Sequence, residues 1–463
     1  MPSARTAARA GPALVLAAVL LLTGCTLTVP GAPSPIGTPG TSAPAAGPPQ
    51  ADPPLAAAVS AAAVVALEGF WAAEYPALGG EPWRPVSAYV PVEPDRAGEP
   101  APPCVLRAEL LTGQAFYCPS ADAMVWDAGE LMPQLAGEFG PAGVVVVLAH
   151  EVGHAVQARL GIGEAERRDR QRYPAVLLEL MADCYAGAAL RHFTDGGAPA
   201  LPLTAGDRDA ALRAITGFRD PLGIAASDPA AHGNAFDRVW AFQDGFADGA
   251  ARCAAMSPEN RLFTQRPFES EEDRRRGGDQ PLDELLAVFE PEARAWFTGV
   301  ATAAGSAWRA PPLVSDTSLV CDLAPLTAQG PAAFCPADGS VSVALDEMRA
   351  LHEELGDYAG ATLLATRYGL ALVDALGGPT EGPGAGDAGV CLAGAFSGRL
   401  VDAEGPFRLS PGDLDEAVQV LLADDRAARD ADGRARPGED GFARVRLFTT
   451  GVSGGPQACS LPA

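Results

Sequence analysis

Hydrophobic residues are arranged along the chain in one short N-terminal run and in later stretches that predict buried helices. The run at 13–22, ALVLAAVLLL, is short for a membrane-spanning helix. A long helix is predicted from Pro141 to Gly161, because proline favours the first turn of a helix and glycine its end. A second helix is predicted to open at Pro174, since the residues that follow, VLLELMADCYAGAAL, are almost wholly apolar. Both helices are expected to lie in a core.

The composition supports two or three compact, mostly helical domains. The chain has 463 residues, and 48% of them are hydrophobic, many of these being alanine, which favours helices. Short strands are expected at 115–119 and 340–345, so the predicted fold class is mainly α with a smaller β part (α+β). With 58 acidic and 33 basic residues the net charge is −25, which argues against a nucleic-acid partner. The oligomeric state cannot be read from these features.

The N-terminal segment has the pattern of an export signal. Arg5 and Arg9 precede the apolar run, which ends in Leu22-Thr23-Gly24-Cys25. This arrangement resembles a bacterial lipoprotein signal with its lipobox, which implies that residues 1–25 are the signal and that Cys25 is diacylated. An ordinary secretory signal with a chance cysteine is the alternative. Residues 26–54, rich in Pro, Gly and Ala, predict a tether. The expected location is therefore the extracytoplasmic face of the cell membrane, with a lipid anchor.

Several segments recur in the same order and predict a tandem duplication. Residues 361–377, ATLLATRYGLALVDALG, align with residues 145–161, and matching cysteine-containing segments lie before and after both stretches. The offset between matches drifts from 217 to 206 residues, as loop deletions would cause. The predicted domains are a first copy at 55–266, a charged linker at 267–281 and a second copy at 282–463.

Repetition within the chain narrows the cysteine pairing. Eight cysteines remain besides Cys25, and an even number in an exported protein suggests disulfides. If each copy forms the same two bonds, the pairing is determined. Free thiols, or bonds between the two copies, are the open alternative. The pairs are Cys104–Cys118, Cys184–Cys253, Cys321–Cys335 and Cys391–Cys459.

An HExxH motif in the first copy predicts a zinc site. His150 and His154 are four residues apart on the predicted helix, so their side chains lie on one face, one turn apart. That spacing lets two imidazoles bind one zinc ion, with Glu151 beside them to activate water. The longer HExxHxxGxxH pattern is excluded, because Gln157 and Leu160 stand where it needs glycine and histidine.

Two acids on the next helix are candidates to complete the site. Glu179 and Asp183 share a helix face within an apolar stretch, and a buried carboxylate needs a partner such as a metal. Glu179 is then the third ligand, and Asp183 accepts a hydrogen bond from a ligand histidine. Surface acids would be the alternative.

These motifs resemble the bacterial neutral zinc metallopeptidase family of gluzincin type. The resemblance rests on HEVGHAVQ, ELMADCYAG and HGNAFDRVWAFQDGFADGAARC, and covers roughly residues 60 to 260. It implies a zincin-like fold in which zinc is held by His150, His154 and Glu179, with Glu151 as the general base. It also implies that Asp183 orients a histidine ligand and that His232 stabilises the oxyanion, unless His232 merely caps a loop. Arg238 is interpreted as structural.

The second copy keeps the glycines and cysteines but lacks the residues predicted to bind zinc and to act in catalysis. His150 aligns with Thr366, Glu151 with Arg367, His154 with Leu370, Glu179 with Gly386, Asp183 with Val390 and His232 with Gly438. It is therefore interpreted as a pseudopeptidase repeat that packs on the first copy as a pseudo-dimer, leaving one zinc ion per chain.

The sequence favours a membrane-anchored zinc peptidase that acts on protein or peptide substrates. One alternative is a catalytically inactive zinc-binding or scaffold lipoprotein that binds a protein or cell-envelope partner. Another is a zinc hydrolase of non-peptide amides or esters.

Overall fold

The computed structural model describes residues 53–461 except 202, 317–328, 383, 404 and 439. The predicted signal with Cys25, nearly all of the tether, and Cys321 lie outside the described residues. The first helix begins at Pro53, so it includes the last two residues of the predicted tether. Proline is compatible with the first turn of a helix, whose N–H groups have no intrahelical partner.

The described chain is mainly helical, which confirms the predicted class. We call residues 53–266 the first half and residues 282–461 the second half. The helices and strands of the first half are α1 (Pro53–Gly79), β1 (Ala88–Val92), β2 (Ala115–Cys118), β3 (Ala123–Asp127), α2 (Leu131–Arg159), α3 (Ile162–Arg168), α4 (Ala175–His192), α5 (Asp207–Gly217), α6 (Ala235–Asp248) and α7 (Ala250–Ala254). A short helix, α8 (Glu271–Arg276), lies within the predicted linker. The second half contains α9 (Leu282–Ala303), β4 (Leu313–Asp316), β5 (Ala332–Cys335), β6 (Ser340–Ala344), α10 (Leu345–Leu355), α11 (Asp357–Ala375), α12 (Ala385–Leu400), α13 (Asp413–Ala423) and α14 (Gly441–Gly454).

Each half has a small three-stranded sheet with the same topology. In the first, β3 lies in the centre, parallel to β1 and antiparallel to β2. In the second, β6 lies in the centre, parallel to β4 and antiparallel to β5. The predicted strands at 115–119 and 340–345 correspond to β2 and β6. Because β2 is an edge strand, one of its sides is free to face the site described below.

Glycines let the core helices of each half cross with their backbones in contact. A Cβ on Gly187 of α4 would lie 2.0 Å from the Phe242 carbonyl oxygen of α6. A Cβ on Gly394 of α12 would lie 2.0 Å from the Phe448 carbonyl oxygen of α14. Any larger residue would force these helix pairs apart. The same crossing is therefore built with the same residue type in both halves.

Disulfides join the first helix of each pair to the segment that follows its partner. Cys184 of α4 is bonded to Cys253 of α7, and Cys391 of α12 to Cys459 after α14, with a Cα–Cα distance of 5.5 Å in both bonds. Cys104 and Cys118 are also bonded, at the end of β2. The pairing of Cys335 with Cys321 stays a prediction, because Cys321 lies outside the described residues.

The two halves meet where α5 and α6 pack against α13 and α14. The Asp209 carboxylate accepts hydrogen bonds from the N–H groups of Gly441 and Phe442 at the start of α14. In the opposite direction, Asp415 of α13 accepts a bond from Phe236 N–H and pairs with Arg219 at 3.4 Å. Each half thus caps the start of a helix in the other, which fixes their relative position.

Two described helices, α1 and α2, are long and apolar enough to cross a membrane by length and composition alone. Core helices of soluble proteins pass the same test, and α2 packs against α1, α4 and α5. These helices are therefore weak evidence for membrane association.

Candidate metal centre

The two histidines of the HExxH motif lie on α2, after a break in the helix. The helix spans Leu131–Arg159, but Gly140 interrupts it with φ 64° and ψ −162°, so that the part carrying the motif starts at Pro141 as predicted. Gly161 follows its end with φ 75°. The rings of His150 and His154 are perpendicular, and their Nε2 atoms lie 3.2 Å apart.

Glu179 of α4 lies opposite the two histidines. Its Oε2 is 3.3 Å from His150 Nε2, and its Oε1 is 3.5 Å from His154 Nε2. The helices approach closely because a glycine stands at the crossing: a Cβ on Gly153 would lie 3.0 Å from the Cα of Ala182. The three side chains predicted as ligands are therefore brought together, within 4.8 Å of one another.

Hydrogen bonds on the far side of each ring fix the histidine tautomers. His150 Nδ1 lies 2.8 Å from Asp183 Oδ1, a carboxylate that can only accept. His154 Nδ1 lies 3.0 Å from Gln157 Oε1, and Gln157 Nε2 donates to the Leu178 carbonyl, which fixes the amide orientation. In the neutral form that binds a metal, each ring therefore carries its proton on Nδ1 and leaves the Nε2 lone pair free.

This donor set fits a zinc ion. Two Nε2 lone pairs and a carboxylate face one point, and the buried Glu179 Oε2 accepts no hydrogen bond. Such a group of acceptors needs a cation between its members. Imidazole nitrogen and carboxylate oxygen are the ligand types of three-ligand zinc sites.

The electrostatics of the same groups support a bound cation. Burial lowers the pKa of His150, but the Asp183 and Glu179 carboxylates outweigh it and raise this pKa to about 10. Burial raises the pKa of Glu179, yet the two histidines hold it well below the usual range. The site therefore favours positive charge between the histidines and Glu179.

Glu151 follows His150 on α2 and has its own partner on the edge strand β2. The Glu151 side chain is only 4% exposed, and its Oε2 accepts a hydrogen bond of 3.0 Å from the Tyr117 N–H of β2. Burial raises the pKa of Glu151. A carboxylate with a raised pKa is suited to take up and release a proton.

Arg238 of α6 is interpreted from the sequence as structural. In the structure it contacts Asp183, the acid behind the His150 ring. Its Nε lies 2.8 Å from Asp183 Oδ2, and its Nη2 lies 2.9 Å from Asp183 Oδ1. Asp183 is thus held between Arg238 and His150, all three being buried. The bidentate pair fixes the carboxylate that orients His150.

His232 lines the same cleft and is oriented by an aspartate that sequence reasoning missed. Asp220 accepts bonds from the backbone N–H of His232 at 2.7 Å and from His232 Nδ1 at 3.1 Å. Burial raises the pKa of Asp220, but the bond from His232 and other hydrogen bonds lower it overall. With Nδ1 bound in this way, the Nε2 of His232 remains available to a ligand.

The cleft beside the metal centre has apolar walls. His150, Glu151, Glu179 and His232 all contribute to its lining. Its apolar lining comes from α2, α5 and the segment after α5: Val146, Val147, Ile215 and Phe218. The polar groups are therefore concentrated at one side of an apolar pocket, as in many ligand sites.

The corresponding region of the second half is filled by an arginine. The Arg367 side chain is fully buried and donates to four backbone carbonyl oxygens, those of Gln329, Ala332, Arg426 and Arg429. Burial lowers its pKa to about 9. Gly386, aligned with Glu179, leaves no space for a ligand, because a Cβ there would lie 1.7 Å from the Ala428 carbonyl oxygen.

Comparison with known proteins supports the zinc site. Residues 103–256 match the family described as "Putative neutral zinc metallopeptidase", which confirms the resemblance over that segment. The chain is 32% identical over 154 residues to "Uncharacterized protein YpfJ" of Escherichia coli, covering 30% of this chain and 52% of that protein. It is 32% identical over 151 residues to "Uncharacterized protein Rv2575" of Mycobacterium tuberculosis, covering 29% and 52%. The chain thus spans about half the length of the curated relatives it matches. No solved structure matches it.

Proposed function

We propose that this protein is a zinc-dependent peptidase, anchored by a lipid at Cys25 on the extracytoplasmic side of the cell membrane. The observation that carries the proposal is the convergence of His150 Nε2, His154 Nε2 and a Glu179 oxygen within 4.8 Å. The match of residues 103–256 to a zinc metallopeptidase family supports the same chemistry.

The residues that would hold the metal are His150, His154 and Glu179, and zinc bound there would supply a Lewis acid that polarises a carbonyl and lowers the pKa of water. Glu151 takes a proton from the attacking water and passes it to the leaving amine, a role that its raised pKa favours. Tyr117 N–H binds one oxygen of Glu151, so the carboxylate keeps its orientation while it takes up the proton and passes it on.

His232 is assigned to the developing oxyanion. Asp220 holds His232 Nδ1, so the ring presents Nε2 to the cleft that the metal ligands also line. In the imidazolium form the ring also carries a proton on Nε2, and a donor fixed in this way stabilises charge that appears only as the reaction proceeds. The apolar wall at Val146, Val147 and Phe218 favours a substrate with an apolar side chain beside the scissile bond.

The second half is proposed to be a duplicate of the first that has lost the metal. The shared sheet topology, the paired helix crossings and the equivalent disulfides support a common origin. Arg367 supplies a fixed internal cation where the first half is proposed to bind zinc. The role of the second half is then structural: Asp415 of α13 binds Phe236 N–H and Arg219, on either side of His232 in the first half.

We expect the purified full-length chain to contain one zinc ion, measured by elemental analysis. His150→Ala should abolish it, since one ligand is removed from a three-ligand site. Thr366→Ala, at the aligned position of the second half, is the matched control and should keep one zinc. No zinc in the folded wild type would favour a scaffold lipoprotein, and two would contradict the proposed loss of the second site.

Asp183→Asn is expected to weaken zinc binding about 10–100-fold. The amide oxygen can replace Oδ1, which accepts from both His150 and Arg238. The amide NH2 group then faces Arg238 Nε–H in place of the accepting Oδ2, so Arg238 loses one hydrogen bond and its counter-charge, and His150 loses the carboxylate behind its ring. Competition with a chromophoric chelator measures the affinity. Asp244→Asn is the control. Asp244 lies on α6, as Arg238 does, but it pairs with Arg261 and does not contact the predicted zinc ligands. Equal weakening in both variants would mean that Asp183 acts only through stability.

A further inference from the structure

Three carboxylates converge at a second place, where the linker packs on the second half, and a fourth acid is their electrostatic neighbour. Asp279 belongs to the linker, Asp357 is the first residue of α11, and Asp413 and Glu416 lie in the first turn of α13. Carboxylate oxygens of Asp279, Asp357 and Glu416 lie within 4.8 Å of one another. None of these residues belongs to the zinc site or to the cleft beside it.

Three of these acids are buried, and two of them have oxygens without partners. The exposed fractions of Asp357, Asp413 and Glu416 are 2%, 4% and 9%. One oxygen of each accepts a backbone N–H: Gln280 to Asp357, Ser410 to Asp413 and Tyr358 to Glu416. Oδ1 of Asp357 and Oδ1 of Asp413 are buried and accept no hydrogen bond. Unsatisfied carboxylate oxygens of this kind are rare unless a ligand completes them.

No basic side chain of the described residues neutralises the cluster. Arginine and histidine nitrogens form no ion pair with any of the four acids within 4.0 Å in the described part of the chain. Burial, together with the charge of Asp279, raises the pKa of Asp357 to about 7. The nearby His352 adds no charge, since burial lowers its pKa. Like charges this close are unfavourable without a cation or shared protons.

We propose that these four acids bind one calcium ion. All of the converging atoms are carboxylate oxygens, which hard cations prefer, and flexible sites with several carboxylates suit calcium better than the smaller magnesium. The backbone N–H groups hold one oxygen of each buried acid, and Oδ1 of Asp357 and Oδ1 of Asp413 are left for the ion. Asp279 is half-exposed and gives the ion a route from solvent.

The ion would fasten the linker to the second half. Asp279 would be joined to α11 through Asp357 and to α13 through Asp413 and Glu416. The same α13 carries Asp415, which binds Phe236 N–H in the first half. Calcium would therefore stabilise the arrangement of the two halves, and this site does not depend on the zinc proposal.

The test uses zinc-loaded full-length protein in buffer freed of calcium by a chelating resin. Calorimetric titration with CaCl₂ should show one site with a Kd of about 10⁻⁴–10⁻³ M, typical of extracellular calcium sites. Saturating calcium should raise the Tm by about 2–4 °C. Sodium chloride at matched ionic strength should not, since screening alone acts weakly on buried charges. His150→Ala should respond to calcium like the wild type.

Asp357→Asn and Asp279→Asn should each abolish the calcium response. Without calcium, Asp357→Asn should be at least as stable as the wild type, because it relieves repulsion between the carboxylates. Asp279→Asn changes a half-exposed loop residue, so it keeps the test valid if a buried substitution prevents folding. Asp374→Asn removes an exposed acid from the far end of α11 and should respond normally. Absence of calcium binding by the wild type, or an unchanged response in both site variants, would overturn the proposal in favour of shared protons.

Discussion

Glu151→Gln is expected to lower kcat/KM for peptide hydrolysis about 10²–10⁴-fold while the chain keeps its zinc. Glutamine has nearly the same shape, and its side-chain oxygen still accepts the Tyr117 N–H bond, so the cleft is preserved. What is lost is the ability to take a proton from water and return it to the leaving amine. Turnover is measured with labelled casein, cell-wall peptides and small esters. Zinc content is measured on the same samples by elemental analysis.

Glu164→Gln is the matched control for this prediction. Glu164 is an exposed glutamate on α3, the next helix along the chain, where it pairs with Arg168. Its substitution should leave both zinc content and turnover unchanged. Full activity of Glu151→Gln would refute the assignment of the general base. Loss of zinc together with activity would instead place Glu151 in the support of the metal ligands.

Local periodicity predicted the parts of the metal centre that lie on single helices. His150 and His154 share a face because four residues make about one helical turn, and the same rule joined Glu179 to Asp183. That α2 and α4 face each other followed only from the resemblance and from the need of buried carboxylates for partners. The observed distances between His150, His154 and Glu179 agree with this reasoning.

Contacts between segments distant along the chain could not be predicted in the same way. Tyr117 reaches Glu151 through its backbone N–H, a group that every residue except proline has and that leaves no signal in a sequence. Asp220 orients His232 from a loop. The acids at Asp279, Asp357 and Glu416 each resemble ordinary surface or helix-start residues, and their convergence depends on how the linker packs.

Arg367→Met is expected to lower the free energy of unfolding by about 3–5 kcal/mol. Methionine fills much of the volume but donates nothing to the four carbonyl oxygens that Arg367 now binds, and these would remain buried without partners. Urea unfolding followed by tryptophan fluorescence measures the loss. Hydrogen exchange should show it first in β5 and around residues 426–429, the segments that these bonds connect to α11.

The arginine prediction also separates charge from geometry. Arg367→Lys keeps a positive charge but replaces a planar group of five donors with a compact one of three, so it should recover only part of the lost stability. Arg446→Met, an exposed arginine of the same half, should change stability by less than about 0.5 kcal/mol. A loss below about 1 kcal/mol in Arg367→Met would show that the buried guanidinium is dispensable. The larger loss would mean that the buried guanidinium stabilises the second half, as the proposed replacement of a metal by a fixed internal cation requires.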